Sequence, residues 1–146
     1  MSQNELLQNS LLVTGFGYDH GARWRKNMEL FKHFTDVTRG VRRLGAASVD
    51  LCHVGLGIID GYWEFDCKAW DWSAGALVVL EAGGQLTNMG GEPWGSFNNS
   101  IVASNGKIHA DILSRTMPVV DELRQSEDFV GDWHVPSGYP IEFLNS

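Results

Sequence analysis

The sequence predicts an α/β fold, in which buried strands alternate with helices along the chain. Short runs rich in leucine, valine and aromatic residues recur along it, as at residues 11–17 and 61–65, and such runs are typical of buried strands. Longer segments between them carry apolar side chains at three- and four-residue spacing, which indicates helices. Glycine-containing turns, such as Gly83-Gly84, separate the two kinds of segment.

The first strand and the first helix are predicted at residues 11–17 and 22–37. Leu11-Leu-Val-Thr-Gly-Phe-Gly17 is apolar and closes on a glycine turn. In the segment that follows, apolar residues recur every three or four positions and basic residues lie between them. We therefore expect one face of this helix to pack on the sheet.

The next strand and helix are predicted at residues 41–44 and 48–56, with a small-residue turn between them. Arg42 and Arg43 alternate across the strand, so only one of them can face a site. The strand–glycine–helix junction leaves N–H groups free at a helix start, where an anion is favoured. Within the helix we expect Asp50 and His53 to form a local polar pair.

The central stretch of the chain, residues 61–84, is the most informative. Residues 61–65 are predicted to be a strand, and residues 72–82 a helix that is apolar on nearly every face and hence buried. Gly83-Gly84 supplies glycines that can close the helix in the left-handed conformation. Asp71 opens the helix, and we expect it to act as a cap or to lie at the rim of a site that includes Glu64.

The remaining chain is predicted to form two more strands and one helix. The strands span residues 85–89 and 100–104, and the helix spans residues 107–123, which Pro118 should bend or divide. From residue 125 to residue 146 the composition changes and no period is recognisable, so we expect a loosely ordered tail.

The composition excludes several classes of protein. The chain has 146 residues, enough for one domain, and its 11 basic and 18 acidic side chains give a net charge of −7. This charge argues against nucleic-acid or membrane binding through bulk electrostatics. Cys52 and Cys67 do not form a disulfide framework, and no apolar run is long enough for a membrane helix. We therefore expect a cytoplasmic location.

Three blocks of the sequence follow one another in a recognisable order. The blocks are Leu12-Val-Thr-Gly-Phe-Gly17, then Val41-Arg-Arg-Leu-Gly-Ala-Ala-Ser-Val-Asp-Leu-Cys52, then Tyr62-Trp-Glu-Phe65 with Trp70-Asp-x-Ser-Ala-Gly75 and Glu81-Ala-Gly-Gly84. These blocks, in this order, resemble the inositol monophosphatase family, whose members are Mg²⁺-dependent, lithium-sensitive phosphatases of sugar and cyclitol phosphates. The resemblance covers residues 4 to 110.

The resemblance implies a more specific fold and four site residues. Residues 1–124 would form the C-terminal half of the layered αβαβα sandwich of the inositol monophosphatase and fructose-bisphosphatase superfamily, and residues 125–146 have no counterpart. Asp71 matches a ligand of catalytic Mg²⁺. Glu64 matches a carboxylate that hydrogen-bonds substrate hydroxyls. Gly45 and Ala47 match backbone that contacts the sugar or cyclitol ring.

The resemblance also implies that the site is incomplete. The family's remaining metal ligands and its water-activating residues belong to the first half, including an Asp-Pro-(Ile/Leu)-Asp-Gly-Thr block that this sequence lacks. We expect no catalytic residue in this chain, no activity without the missing N-terminal half, and apolar area exposed on its central sheet. The expected partners are a small-molecule phosphate ester and either that half or a second copy in a homodimer, but neither nucleic acid nor membrane.

Two alternatives stay open at this stage. The chain could instead be a non-catalytic, stand-alone domain that binds a partner or a phosphorylated ligand. The ester could also be histidinol phosphate or fructose bisphosphate, because ring selectivity depends on loops that lie largely outside this sequence.

Overall fold

The computed structural model describes residues 1–126 and Gly131. After a short 3₁₀ turn at Leu7–Asn9, five strands and four α-helices follow in this part of the chain. The strands are Leu11–Thr14 (β1), Gly40–Arg42 (β2), Gly61–Phe65 (β3), Gln85–Thr87 (β4) and Ser100–Ser104 (β5). The helices are Ala22–Val37 (α1), Ala47–Leu56 (α2), Ala69–Glu81 (α3) and His109–Arg124 (α4).

All five strands form one mixed sheet with the order β2-β1-β3-β5-β4. Strands β2, β1 and β3 run parallel, whereas β5 is antiparallel to both β3 and β4. From β1 the chain moves outward to β2 through α1 and then returns past β1 to β3 through α2. Strand β1 is therefore the point at which the winding of the sheet changes direction.

Helices cover both faces of the sheet, so the described part of the chain is a three-layer α/β/α unit. On one face α1 and α4 pack against Leu12, Trp63 and Val102. On the other face α2 and α3 pack against Val13 and Tyr62. The two clusters alternate along each strand because neighbouring side chains of a strand point to opposite faces.

Helices α2 and α3 approach each other closely through two glycines. A Cβ atom at Gly55 would lie 2.8 Å from a methyl carbon of Val78, and one at Gly75 would lie 2.7 Å from Cβ of Leu51. Such distances leave no room for a side chain at either position. The glycine in the Ser-Ala-Gly75 sequence is thus needed for helix packing.

Helix α3 is not buried on every side, so that prediction is wrong. Trp72, Ala76 and Val79 are buried, but Trp70 is 82% exposed, Leu77 is 58% exposed and Leu80 is 52% exposed. Helix α2 also has exposed apolar side chains, since Leu56 is 69% exposed and Val49 is 45% exposed. We call Val49, Leu56, Trp70, Leu77 and Leu80 the outer face.

The expectation that apolar area is exposed on the central sheet is wrong. Both sheet faces are covered by a helix pair, and all five residues of β3 and of β5 are buried. Exposed apolar side chains therefore lie on the solvent side of the α2–α3 layer. A surface of this kind marks an interaction site more often than an isolated apolar residue does.

The other predicted elements differ from the structure mainly at their ends. Helix α1 and strand β3 have the predicted bounds, whereas β1, β2 and β4 are shorter than predicted. Gly83 has a positive φ of 79° and ends α3 as predicted. Pro118 lies inside α4 without dividing it.

Three further predictions concern the cysteines, the membrane and the tail. Cys52 and Cys67 are both free, as predicted. In the described part of the chain, no helix is long and apolar enough to cross a membrane. The tail predicted at 125–146 lies outside the described residues, apart from Gln125, Ser126 and Gly131.

Candidate functional site

A cleft of about 590 Å³ lies at the carboxyl ends of the three parallel strands. Its walls are the loop after β1 (residues 15–19), the turn before α2 with the first residues of that helix (residues 43–48), and the segment from the end of β3 to the first turn of α3 (residues 64–71). Ligands of α/β sheets bind at carboxyl strand ends, where the winding changes direction. The position that the sheet topology predicts for a ligand therefore coincides with the cleft seen in the surface.

The four residues selected by resemblance all line this cleft. Gly45 comes from the turn before α2, Ala47 is the first residue of α2, Glu64 lies near the end of β3, and Asp71 lies in the first turn of α3. These segments are separate in the sequence, and the sheet brings them together. Their assigned roles stay predictions, but their grouping is a property of the fold.

The start of α2 presents free backbone donors to the cleft. The first helical hydrogen bond runs from the Asp50 N–H to the Ala46 carbonyl, and no side chain caps this end of the helix. Gly45 has a φ of 93°, a left-handed conformation that suits glycine. Unpaired N–H groups and the helix dipole both favour an anion at this position.

Two basic side chains also border the cleft. Arg43 and Lys68 line it, whereas Arg42 lines a separate depression beside Asp60. The prediction that only one of the paired arginines faces the site is therefore confirmed. A cationic rim next to free N–H groups fits a ligand that carries a phosphate.

Glu64 is a buried carboxyl group in the wall of the cleft. Its Oε2 accepts a hydrogen bond from the Tyr62 hydroxyl, and the Cys67 thiol also donates to it. Burial raises the pKa of Glu64 to about 7, and the nearby Asp50 carboxylate adds to the rise. The two hydrogen bonds and Arg43 act in the opposite direction.

The backbone at Gly15 lies against the carboxyl group of Glu64. A Cβ atom at Gly15 would overlap both carboxyl oxygens of Glu64, so the backbone after β1 lies directly against that group. Glycine is therefore required at this position by close approach. Gly15 is not among the site residues that the sequence predicts, although a glycine directly after a buried strand is a signal for such an approach.

The predicted polar pair of Asp50 and His53 is not formed. Asp50 is completely buried, and neither its carboxyl oxygens nor Nδ1 of His53 has a hydrogen-bond partner. Burial raises the pKa of Asp50 to about 6, against the lowering effects of His53 and Arg43. The packing face of α2 turns Asp50 inward, and helical spacing alone did not indicate this.

Asp71 lies in the first turn of α3 but is not its N-cap residue. The helix begins at Ala69, and Oδ2 of Asp71 accepts a hydrogen bond of 2.8 Å from the backbone N–H of Lys68. This reciprocal contact is half of a capping box. Asp71 therefore supports the helix start and also lines the cleft.

The donor set fits Mg²⁺ only in part. Among the described residues, no group of three or more His, Cys, Asp and Glu side chains is placed to hold a metal ion. One Asp71 oxygen is used by the Lys68 N–H, which leaves the other oxygen for a ligand. Mg²⁺ is commonly held by one or two carboxylates together with water and phosphate, so Asp71 could be one contributor.

We expect Glu64→Gln to remove a pH-dependent loss of stability. Because the pKa of Glu64 is about 7 in the fold and 4.5 ordinarily, the folded protein keeps a proton that the unfolded chain releases. The stabilisation is complete below pH 4.5 and is lost as the pH rises to 7. Glutamine carries no charge, so the variant should gain roughly 2–4 kcal/mol in unfolding free energy at pH 8 and little at pH 4.

Urea unfolding of both proteins between pH 4 and pH 8 measures this difference. Glu81→Gln, at the exposed end of α3, is the control and should follow the wild-type profile. Parallel profiles for Glu64→Gln and the wild type would contradict a buried, protonated Glu64.

Comparison with known proteins places the chain in one family. The sequence model of the inositol monophosphatase family matches residues 1–121. The chain is 48% identical to the chloroplast phosphatase IMPL1 of Arabidopsis thaliana over 142 residues, and 42% identical to the inositol-1-monophosphatase of Synechocystis over 112 residues. The inositol monophosphatase structure from Anabaena superimposes with a TM-score of 0.76 at 41% identity, over 80% of this chain.

These matches cover most of this chain but less than half of each relative. The chain spans 38% of the Arabidopsis protein, 39% of the Synechocystis protein and 46% of the Anabaena structure. The fold is thus that of part of an inositol monophosphatase domain.

Proposed function

Because this chain belongs to the inositol monophosphatase family, we propose that it is the C-terminal part of a Mg²⁺-dependent phosphomonoesterase. Its substrate would be inositol monophosphate or a related sugar phosphate. One observation carries the proposal: Gly45, Ala47, Glu64 and Asp71 line a single cleft at the carboxyl ends of the parallel strands. Relatives named as inositol monophosphatases support the reaction class.

Each cleft residue has a role that its chemistry allows. The N–H groups at the start of α2, together with Arg43, attract the anionic end of a phosphate ester. The backbone at Gly45 and Ala47 lies against the ring, and Glu64 hydrogen-bonds a ring hydroxyl and so orients the ester. Asp71 would hold Mg²⁺, which would stabilise negative charge on the phosphate.

The outer face supports the further proposal that the rest of the domain docks on the α2–α3 layer. The two helices of this layer have five exposed apolar side chains, and Trp70 belongs both to the outer face and to the cleft wall. A partner seated there would extend to the rim of the cleft beside Asp71. It could then supply the further acidic ligands, either from the same polypeptide or from a second chain.

The alternative is a non-catalytic domain that binds a phosphorylated ligand. The described residues contain an anion-attracting cleft but no complete metal site, which favours ligand binding for this portion alone. The two proposals differ in whether docking of a second half creates turnover.

Adding the missing half of the domain distinguishes the phosphatase from the binding domain. The part of the Synechocystis relative that this chain does not match is added in trans or fused, and phosphate release from inositol 1-phosphate is measured with and without Mg²⁺. We expect background rates for the chain alone and Mg²⁺-dependent turnover for the complemented protein, within the common range of about 1 to 10³ per second. A complex that forms on a sizing column but stays inactive would support the binding domain.

A further inference from the structure

The connection between β3 and α3 contains an unusual backbone conformation. Asp66 has a φ of 69°, and it is the one residue other than glycine with a positive φ in the described part of the chain. This left-handed conformation is disfavoured for residues with a Cβ atom, although aspartate tolerates it better than most. It lets the chain turn from Glu64 at the end of β3 to Asp71 in the first turn of α3.

Asp66 is held from three sides by elements that are distant in the sequence. Its N–H donates a hydrogen bond of 2.8 Å to the Asn99 carbonyl, just before β5. Its Oδ1 lies 2.5 Å from Nη1 of Arg23 in α1, an ion pair in which neither of these two atoms has hydrogen-bond geometry. Gly17 of the β1–α1 loop lies against its Cβ atom.

The ion pair is partly shielded from solvent. The side chain of Arg23 is 17% exposed and that of Asp66 is 21% exposed. Burial raises the pKa of Asp66, while Arg23 and Lys68 lower it, so the arginine compensates for the loss of hydration. Because both side chains are largely shielded, the attraction between their charges is screened less than in an exposed ion pair.

We propose that Asp66, held by Arg23, is a positioning residue that keeps Glu64 and Asp71 directed into the same cleft. The role of Asp66 is to fix the turn between the two carboxylates, and Arg23 links this turn to α1. The expected effect of Asp66 on catalysis rests on the proposed function. Its structural consequence can be tested on the 146-residue chain alone.

The Lys68 amide is a local reporter of this turn. It lies between Asp66 and Asp71 and donates to Oδ2 of Asp71, so loosening of the turn should expose it. We expect Asp66→Asn and Arg23→Gln each to speed hydrogen exchange at the Lys68 amide by about tenfold. The double variant should add little to either single change, because both remove the same ion pair.

Asp66→Asn is the variant least expected to disturb folding, since asparagine also tolerates the left-handed conformation. Lys26→Gln is the matched control, because Lys26 forms exposed ion pairs with Glu29 and Glu122 from the same helix as Arg23. The control should leave Lys68 exchange within about twofold of the wild type.

Kinetics of the complemented enzyme provide the second measurement. Both single variants and the double variant should lower kcat/KM by about tenfold, whereas Lys26→Gln should not. Unchanged Lys68 exchange in Asp66→Asn, or additive effects in the double variant, would overturn the proposal. If the variants speed Lys68 exchange but the complemented wild-type protein shows no turnover, the positioning role of Asp66 stands and the phosphatase proposal is rejected.

Discussion

Asp71→Asn is expected to lower Mg²⁺-dependent turnover of the complemented enzyme by about a hundredfold or more. A neutral amide is a poor Mg²⁺ ligand and removes one of the charges that hold the ion. The fold should change little, because the asparagine oxygen can still accept the hydrogen bond that Lys68 now donates to Asp71. Loss of the negative charge at the helix start costs about 0.3–1 kcal/mol.

Turnover at saturating Mg²⁺ and the melting temperature without metal should be measured on the same protein. Asp111→Asn is the control, because Asp111 is exposed in the first turn of α4 and does not line the cleft. It removes a similar charge from a helix start without touching the candidate site. Near-wild-type turnover in Asp71→Asn would mean that the carboxylate serves only the helix, and the metal assignment would then be rejected.

Gly15→Ala is expected to reduce kcat/KM of the complemented enzyme by about a hundredfold through displacement of Glu64. The added methyl group would occupy the position of the Glu64 carboxyl oxygens. Glu64 would have to leave its hydrogen bond with Tyr62, and the ring hydroxyl would lose its acceptor. Overpacking should also lower the free energy of unfolding by about 1–3 kcal/mol.

Steady-state kinetics with inositol 1-phosphate and urea unfolding together test this prediction. Gly21→Ala is the control, because Gly21 ends the same loop, has a negative φ and leaves nearly 4 Å to the closest atoms for a Cβ. Kinetic constants of Gly15→Ala equal to those of the control would show that Glu64 does not orient the substrate.

Much of the local structure follows from patterns within single segments. Helix α1 has the predicted bounds, because its apolar period of three and four residues continues until Val37. Strand β3 and the glycine end of α3 were also predictable, since aromatic density and a left-handed glycine are local signals. The ordered family blocks further indicated four residues that line one cleft.

The solvent exposure of side chains could not be predicted in the same way. The sequence of α3 is apolar on nearly every face, and only its position in an outer layer shows that Leu77 and Leu80 are exposed. Asp50 and His53 have the helical spacing of a polar pair, but the packing of α2 buries the Asp50 carboxyl group without a hydrogen-bond partner. Burial depends on what packs against a residue, and this information is not contained in its own segment.

The sequence by itself determined the alternation of strands and helices, the family, and the residues that approach one cleft. Only the tertiary structure decided how those residues are supported. The close approach of Gly15 to Glu64 and the ion pair of Arg23 with Asp66 each join segments that are distant in the chain. The physical reason is that periodicity and turn propensity act over a few residues, whereas these contacts arise from the packing of the parallel strands and their crossover helices.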